Sequence, residues 1–135
     1  MIENEVVTAL QRHWEDGFNQ YDLDLVMEPV DKDVVFSSPF VPRLTGDPEK
    51  VTIDGYDAFR EYIDDSMRRV PGIRYSLDAS FVSTQTIVFV YTCNFSDGQA
   101  KTGADSIRLN KAGKIVEWRS HYSFNPEAID DLIQD

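Results

Sequence analysis

The feature that most constrains this chain is a change of hydrophobic period at Pro71-Gly72. Before it, apolar residues recur at helical spacing. After it they alternate one by one, as strands with one buried face require. Val6, Val7, Leu10, Trp14, Phe18 and Tyr21 mark a first helix, with Glu3, Gln11, Arg12 and Glu15 on its other side. A short helical turn follows Asp22-Leu23-Asp24 and is limited by Pro29. Asp33 to Ser38 reads as a strand. Residues 39–53, with Pro39, Pro42, Gly46 and Pro48, read as a long loop. Asp54 is the expected N-cap of a further helix whose buried face is Tyr56, Phe59, Tyr62, Ile63 and Met67.

Beyond Gly72 the alternation places Ile73, Tyr75, Leu77, Ala79 and Phe81 on one side of a strand. Further strands are expected at about Thr86–Phe95, Ala100–Leu109 and Lys114–Phe124, separated by Asp97-Gly98 and Asn110–Gly113 turns. In the last strand Val116, Trp118, Ser120, Tyr122 and Phe124 share one face, and Glu117, Arg119, His121 and Ser123 the other. Asn125-Pro126-Glu127 has the form of a cap, a first-turn proline and an acid, opening a short C-terminal helix. Helices first and an antiparallel meander second imply an α+β fold, with helices laid on one face of a curved sheet.

Several function classes are disfavoured. Net charge is −11, from 24 acids against 13 bases, a balance that repels phosphate backbones and anionic lipid. Neither nucleic acid nor membrane is therefore an expected partner, and no apolar run is long enough to span a bilayer. The N-terminus carries early acids and no apolar block, so a cytoplasmic location is expected. Cys93 is alone, which leaves no internal disulfide and no paired-cysteine metal site. His13 and His121 have no HxxxH or HxH spacing, and no phosphate-cradling loop or GxSxG elbow occurs, so neither metal nor cofactor is expected.

The informative residues are polar ones on apolar strand faces. Asp105 shares its side with Ile107 and Leu109, Ser120 lies between Trp118 and Tyr122, and Ser38 sides with Val34 and Phe36. A carboxyl group in such surroundings finds donors or holds its proton through a raised pKa, and a protonated acid can donate to a carbonyl oxygen. The periodicity leaves open both that role and a structural one, in which Asp105 caps a turn, pairs with an arginine or sits at a wet rim. For Ser38 and Ser120 a backbone-bonded hydroxyl is the ordinary reading. Trp14, Phe18 and Tyr62 suit a core as well as a ligand cradle.

Four stretches taken in order, Phe18–Asp24, Asp33–Pro39, Tyr56–Tyr62 and Asp105–Val116, resemble the NTF2-like superfamily, in particular its SnoaL-like and ketosteroid-isomerase-like branch. The resemblance implies one domain over residues 1–135, in which a cone-shaped, curved antiparallel sheet wraps the N-terminal helices around an apolar pocket. It also implies a homodimer. Asp105 matches the aspartate of the isomerases' oxyanion hole, Trp14 takes the place of their tyrosine, and Ser38, before a proline, stands where they hold the proton-moving aspartate. The expected site is then Asp105 as catalytic group, with Trp14, Ser38, Tyr62, Trp118, Ser120 and Tyr122 holding a hydrophobic small molecule. The implied activity is cofactor-free isomerase, cyclase or dehydratase chemistry on a carbonyl compound. The alternative is a non-catalytic ligand-binding or protein-interaction domain.

Overall fold

The computed structural model describes all 135 residues. Helix α1 (Asn4–Asn19) buries Leu10, Trp14 and Gly17 on one face. A Cβ at Gly17 would lie 2.6 Å from the Val26 side chain, so the missing side chain lets α1 touch α2 (Leu23–Met27). Asp22 caps α2 by accepting the Leu25 N–H at 3.1 Å. Strand β1 (Val30–Ser37), helix α3 (Phe40–Thr45), strand β2 (Thr52–Asp54) and helix α4 (Tyr56–Arg69) complete the first half. Then come β3 (Arg74–Val82), β4 (Thr86–Asn94), β5 (Ala100–Leu109), β6 (Ile115–Tyr122) and a 3₁₀ segment, Pro126–Leu132. The six strands form one sheet in the order β2-β1-β6-β5-β4-β3. The β3 to β6 meander is antiparallel as expected, and β1 joins it by running parallel to β6, which makes the sheet mixed. A cluster of 25 buried apolar residues fills the space between helices and sheet. No helix is long and apolar enough to cross a membrane.

Four local expectations need correction. Residues 39–53 are not one loop. Ser38 Oγ accepts the Phe40 N–H at 3.1 Å and starts α3, whose Phe40, Val41 and Leu44 are buried. Gly46, at φ 74°, ends it. Pro39 and Pro42 sit where a short helix tolerates them, at its cap and in its first turn, and Pro48 lies beyond its end. Asp54 is not the cap of α4. It pairs with Val35 in β2, and Gly55 takes the cap position at φ 93°, its N–H bonded to Val34 O at 2.7 Å. That left-handed φ is one that side chains rarely adopt.

The third and fourth corrections are β-bulges. In β3, Leu77 pairs with Tyr91 and Ala79 with Val90, leaving Asp78 unpaired in the ladder. Its carboxylate accepts the Thr92 hydroxyl at 2.8 Å. The extra residue reverses the faces beyond it, so Ala79 and Phe81 point outward, and Phe81 is 62% exposed. Ser80 faces α1 instead and accepts from Gln11 at 2.8 Å. In β6 the bulged residue is Val116. Ile115 takes the core position beside Leu109, after which Trp118 and Ser120 are buried and Tyr122 half-buried. At the C-terminus, Asn125 precedes Pro126 as expected, but its side chain makes no capping bond.

Candidate functional site

The site is built on the inward face of β4, β5 and β6, where the ladder sets three rows. Ile87, Ile107 and Trp118 form one, Phe89, Asp105 and Ser120 the next, and Tyr91, Gly103 and Tyr122 the third. Gly103 is what makes the third row work. A Cβ there would stand 2.6–2.8 Å from the Tyr91 ring and hydroxyl, so the bare backbone lets the ring lie flat across β5. Tyr91 then donates its hydroxyl to Asp105 Oδ1 at 2.8 Å. Trp118, on the neighbouring strand, donates its indole N–H to Asp105 Oδ2 at 3.0 Å. From the opposite side α1 lowers Trp14, whose indole N–H donates to the same Oδ2 at 2.9 Å. The Ser120 hydroxyl also lies within hydrogen-bonding reach of the carboxyl.

Asp105 is thus 3% exposed and ringed by donors, with no cation beside it. Burial pushes its pKa up, and the surrounding donors oppose that rise in part, since each favours the charged form. An indole can only donate. Oδ2, already facing two indole N–H groups, has no room for a proton, so the protonated acid carries it on Oδ1. There the Tyr91 hydroxyl can turn from donor to acceptor. Burial, and then the neighbouring Asp105 charge, keep the Tyr91 and Tyr122 phenols far above their usual range. Burial likewise pushes the Cys93 thiol to about 12. Both tyrosines and the thiol stay neutral at any ordinary pH, which leaves Asp105 as the group of this cluster able to exchange a proton.

Above this floor lies a cavity of about 100 Å³. All seven residues singled out from the sequence line it: Asp105, Trp14, Ser38, Tyr62, Trp118, Ser120 and Tyr122. The indole N–H groups of Trp14 and Trp118 are committed to Asp105, so these two offer the cavity only apolar ring atoms. Ser38 is engaged by the α3 turn and by the Tyr62 hydroxyl. Burial raises the Tyr62 pKa, and the Ser38 bond pulls the other way. Both histidines lie outside the lining: His13 Nδ1 is 3.1 Å from Leu25 O, and His121 is exposed on the outer sheet face. No group of three or more His, Cys, Asp or Glu side chains is placed to hold a metal ion.

Sequence reasoning passed over Tyr91, Tyr75 and Gly103, and over Phe40, Leu44 and Ile129 at the other end of the cavity. The signal for Tyr91 was partial. A two-residue Asp97-Gly98 turn pairs Tyr91 with Ala104, whereas the loop holds three residues, Ser96–Gly98, and sets Tyr91 against Gly103, a large ring opposite an empty position two residues from Asp105. No comparable signal marked Phe40 and Leu44, whose helix was hidden among prolines.

The architecture has many relatives of known structure. A SnoaL-like protein of unknown function from Burkholderia thailandensis superposes with a TM-score of 0.78 at 19% identity, covering 91% of this chain and 98% of its own. An NTF2-like protein of unknown function from Burkholderia pseudomallei gives 0.76 at 19%, covering 98% and 100%. A steroid delta-isomerase from Pseudomonas aeruginosa gives 0.68 at 16%, covering 91% and 82%. At such identities the likeness is one of fold. No curated protein matches the chain. The SnoaL-like domain model, however, matches residues 10–118, a span from the first buried leucine of α1 to the tryptophan beneath Asp105. This chain therefore belongs to the SnoaL-like domain family.

Proposed function

We propose that this protein binds a hydrophobic carbonyl compound in the cavity and catalyses proton transfer on it without a cofactor, as an isomerase, cyclase or dehydratase. The observation that carries the reading is the placement of one carboxyl group, Asp105, in a lining that holds no other carboxylate and no histidine, lysine or arginine. Burial raises its pKa and so favours the protonated form that can donate a hydrogen bond. Protonated on Oδ1, Asp105 turns that O–H from Tyr91 to the carbonyl oxygen and stabilises the negative charge that develops there. The neighbouring C–H proton passes meanwhile to a water held by Ser38 and Tyr62, which then returns a proton to the product carbon. Tyr122 and Ser120 flank the carbonyl oxygen, and Trp14 and Trp118 supply the walls. A homodimer through the outer sheet face and a cytoplasmic location belong to the same reading.

The test follows exchange of α-protons for deuterium in a panel of cyclic enones, monitored by NMR. The protein is expected to accelerate exchange for at least one of them, and Asp105→Asn to reduce the rate by ~10²-fold or more. Equal rates for the two proteins would remove Asp105 from the chemistry.

A second reading, a binding domain without chemistry, draws on a specific feature. Ser38 stands where the resemblance puts a proton-moving aspartate, and its hydroxyl is tied to the α3 turn. Under that reading no enone exchanges faster than in buffer, while ligand binding survives Asp105→Asn.

A further inference from the structure

We infer that the cavity selects a neutral molecule no larger than about one six-membered ring, and rejects both fused-ring and anionic ligands. The inference rests on the reading of this cavity as a ligand site and adds the class of ligand. Size comes first. A volume of about 100 Å³ is below the ~150 Å³ of an engineered cavity that holds benzene, and well below the ~300–1,000 Å³ of sites for drug-sized molecules.

The walls resist expansion at both ends. At the floor, the Asp105 bonds hold Trp14, Trp118 and Tyr91 at once, so none can swing aside without leaving a buried polar group bare. Trp14 and Tyr91 also pack with ring centroids 4.6 Å apart. At the far end Phe40, Leu44 and Ile129 come from α3 and the 3₁₀ segment, and these elements are strapped down. Arg43 pairs with Asp130 at 2.8 Å. Arg69 donates to Leu44 O at 2.8 Å and to Gln134 O at 3.0 Å.

Charge comes second. Of 23 lining residues 19 are hydrophobic, and the other four are Ser38, Ser66, Ser120 and Asp105. A ligand carboxylate would meet no cation there and would face Asp105, in a medium where unpaired charge is costly. The nearby cations are engaged elsewhere and none is among the lining residues. Lys101 sits 5.3 Å from the Phe124 ring centroid. Arg74 bonds the Tyr21 hydroxyl at 3.1 Å. Arg69 is committed as described, with Asp65 also beside it. The net charge of −11 repels an approaching anion further.

The test measures dissociation constants by quenching of tryptophan fluorescence, since both Trp14 and Trp118 border the cavity. Three probes are compared at pH 8: cyclohex-2-enone, cyclohex-1-ene-1-carboxylate and the four-ring enone androst-4-ene-3,17-dione. Cyclohexenone is expected to bind at least tenfold more tightly than either of the others. Phe40→Ala, which opens the α3 wall, is expected to admit a two-ring enone that the parent protein excludes. Comparable binding of the carboxylate or the four-ring enone, or no binding of cyclohexenone, overturns the inference. Cyclohexenone binding without proton exchange keeps it and removes the catalytic reading. Turnover of the four-ring enone does the reverse.

Discussion

Strands β5 and β3 lie in the same sheet, with only β4 between them, yet they treat their polar residues in opposite ways. β5 keeps strict alternation over ten residues, so Asp105 stays on the inward face between Gly103 and Ile107. In β3 Asp78 follows inward Leu77 and so already points outward, and as a bulge it turns the next residues over, so that the ring of Phe81 faces out as well. One acid is enclosed by donors, and the other is left in solvent. Position in the alternation decided this, since the two side chains are chemically identical. A buried polar group becomes tolerable only when its partners are built around it, and for Asp105 on β5 those partners come from three other elements: Trp14 on α1, Tyr91 on β4, and Trp118 and Ser120 on β6.

The largest expected effect separates the two acids directly. Asp105→Ala leaves two indole N–H groups and the Tyr91 O–H buried without an acceptor. At about 1–3 kcal/mol for each stranded group, partly relieved by relaxation, the loss of stability should be about 3–5 kcal/mol. Asp105→Asn should cost only about 1 kcal/mol. Its amide oxygen can take both indoles, and its N–H can donate to the Tyr91 oxygen. The same alanine at Asp78 removes one exposed bond to Thr92 and should change little. Urea titration of the three variants checks the order, and an Asp105→Ala protein as stable as the parent would mean the ring of donors is not stabilising.

Gly103→Ala comes next. It leaves Asp105 in place and attacks only the way Tyr91 reaches it. A methyl 2.6–2.8 Å from the Tyr91 ring must push the ring off β5. Overpacking of this kind costs about 1–3 kcal/mol, and the Tyr91 to Asp105 bond should be lost with it. Tyr91→Phe in the same background separates the two contributions. If the clash is the main term, the double variant should be no more stable than Gly103→Ala alone; if the lost bond is the main term, Tyr91→Phe should by itself reproduce most of the loss.

The contrast also explains what could be read from the sequence. Period two alone places Asp105, Ser120 and Trp118 on one face, because β5 and the end of β6 have no irregularity between those residues. The bulges at Asp78 and Val116 were invisible to the same reasoning. A bulge is specified by ladder partners on the neighbouring strand, here Tyr91 and Val90 for β3, and Leu109 and Arg108 for β6. Alternation along one strand carries no trace of it. The helix at Phe40–Thr45 was missed for a different reason. Its stability comes from Phe40, Val41 and Leu44 packing into the core, which outweighs the local preference of the prolines around it. The pairing of Tyr91 with Gly103 was one residue out of reach, since the Asp97-Gly98 turn belongs to a three-residue loop. The hydroxyl bond of Tyr91 to Asp105 was not legible at all, because that depends on a ring lying across a strand.

The smallest effect is expected at Phe81. The β3 bulge leaves this ring 62% exposed beside Val88, on the face opposite Asp105. In an isolated chain, Phe81→Thr should shift stability by less than about 0.5 kcal/mol, as replacements away from buried features do. Threonine also suits a strand exposed on one side. A homodimer through the outer face changes the expectation. Phe81 would then be covered by the partner, and the variant would lower the unfolding midpoint in a manner that depends on protein concentration. Unfolding at two concentrations a hundredfold apart distinguishes the cases. An effect that is small and independent of concentration confines the function of this chain to the inner face, where the bulge-free strand holds its acid.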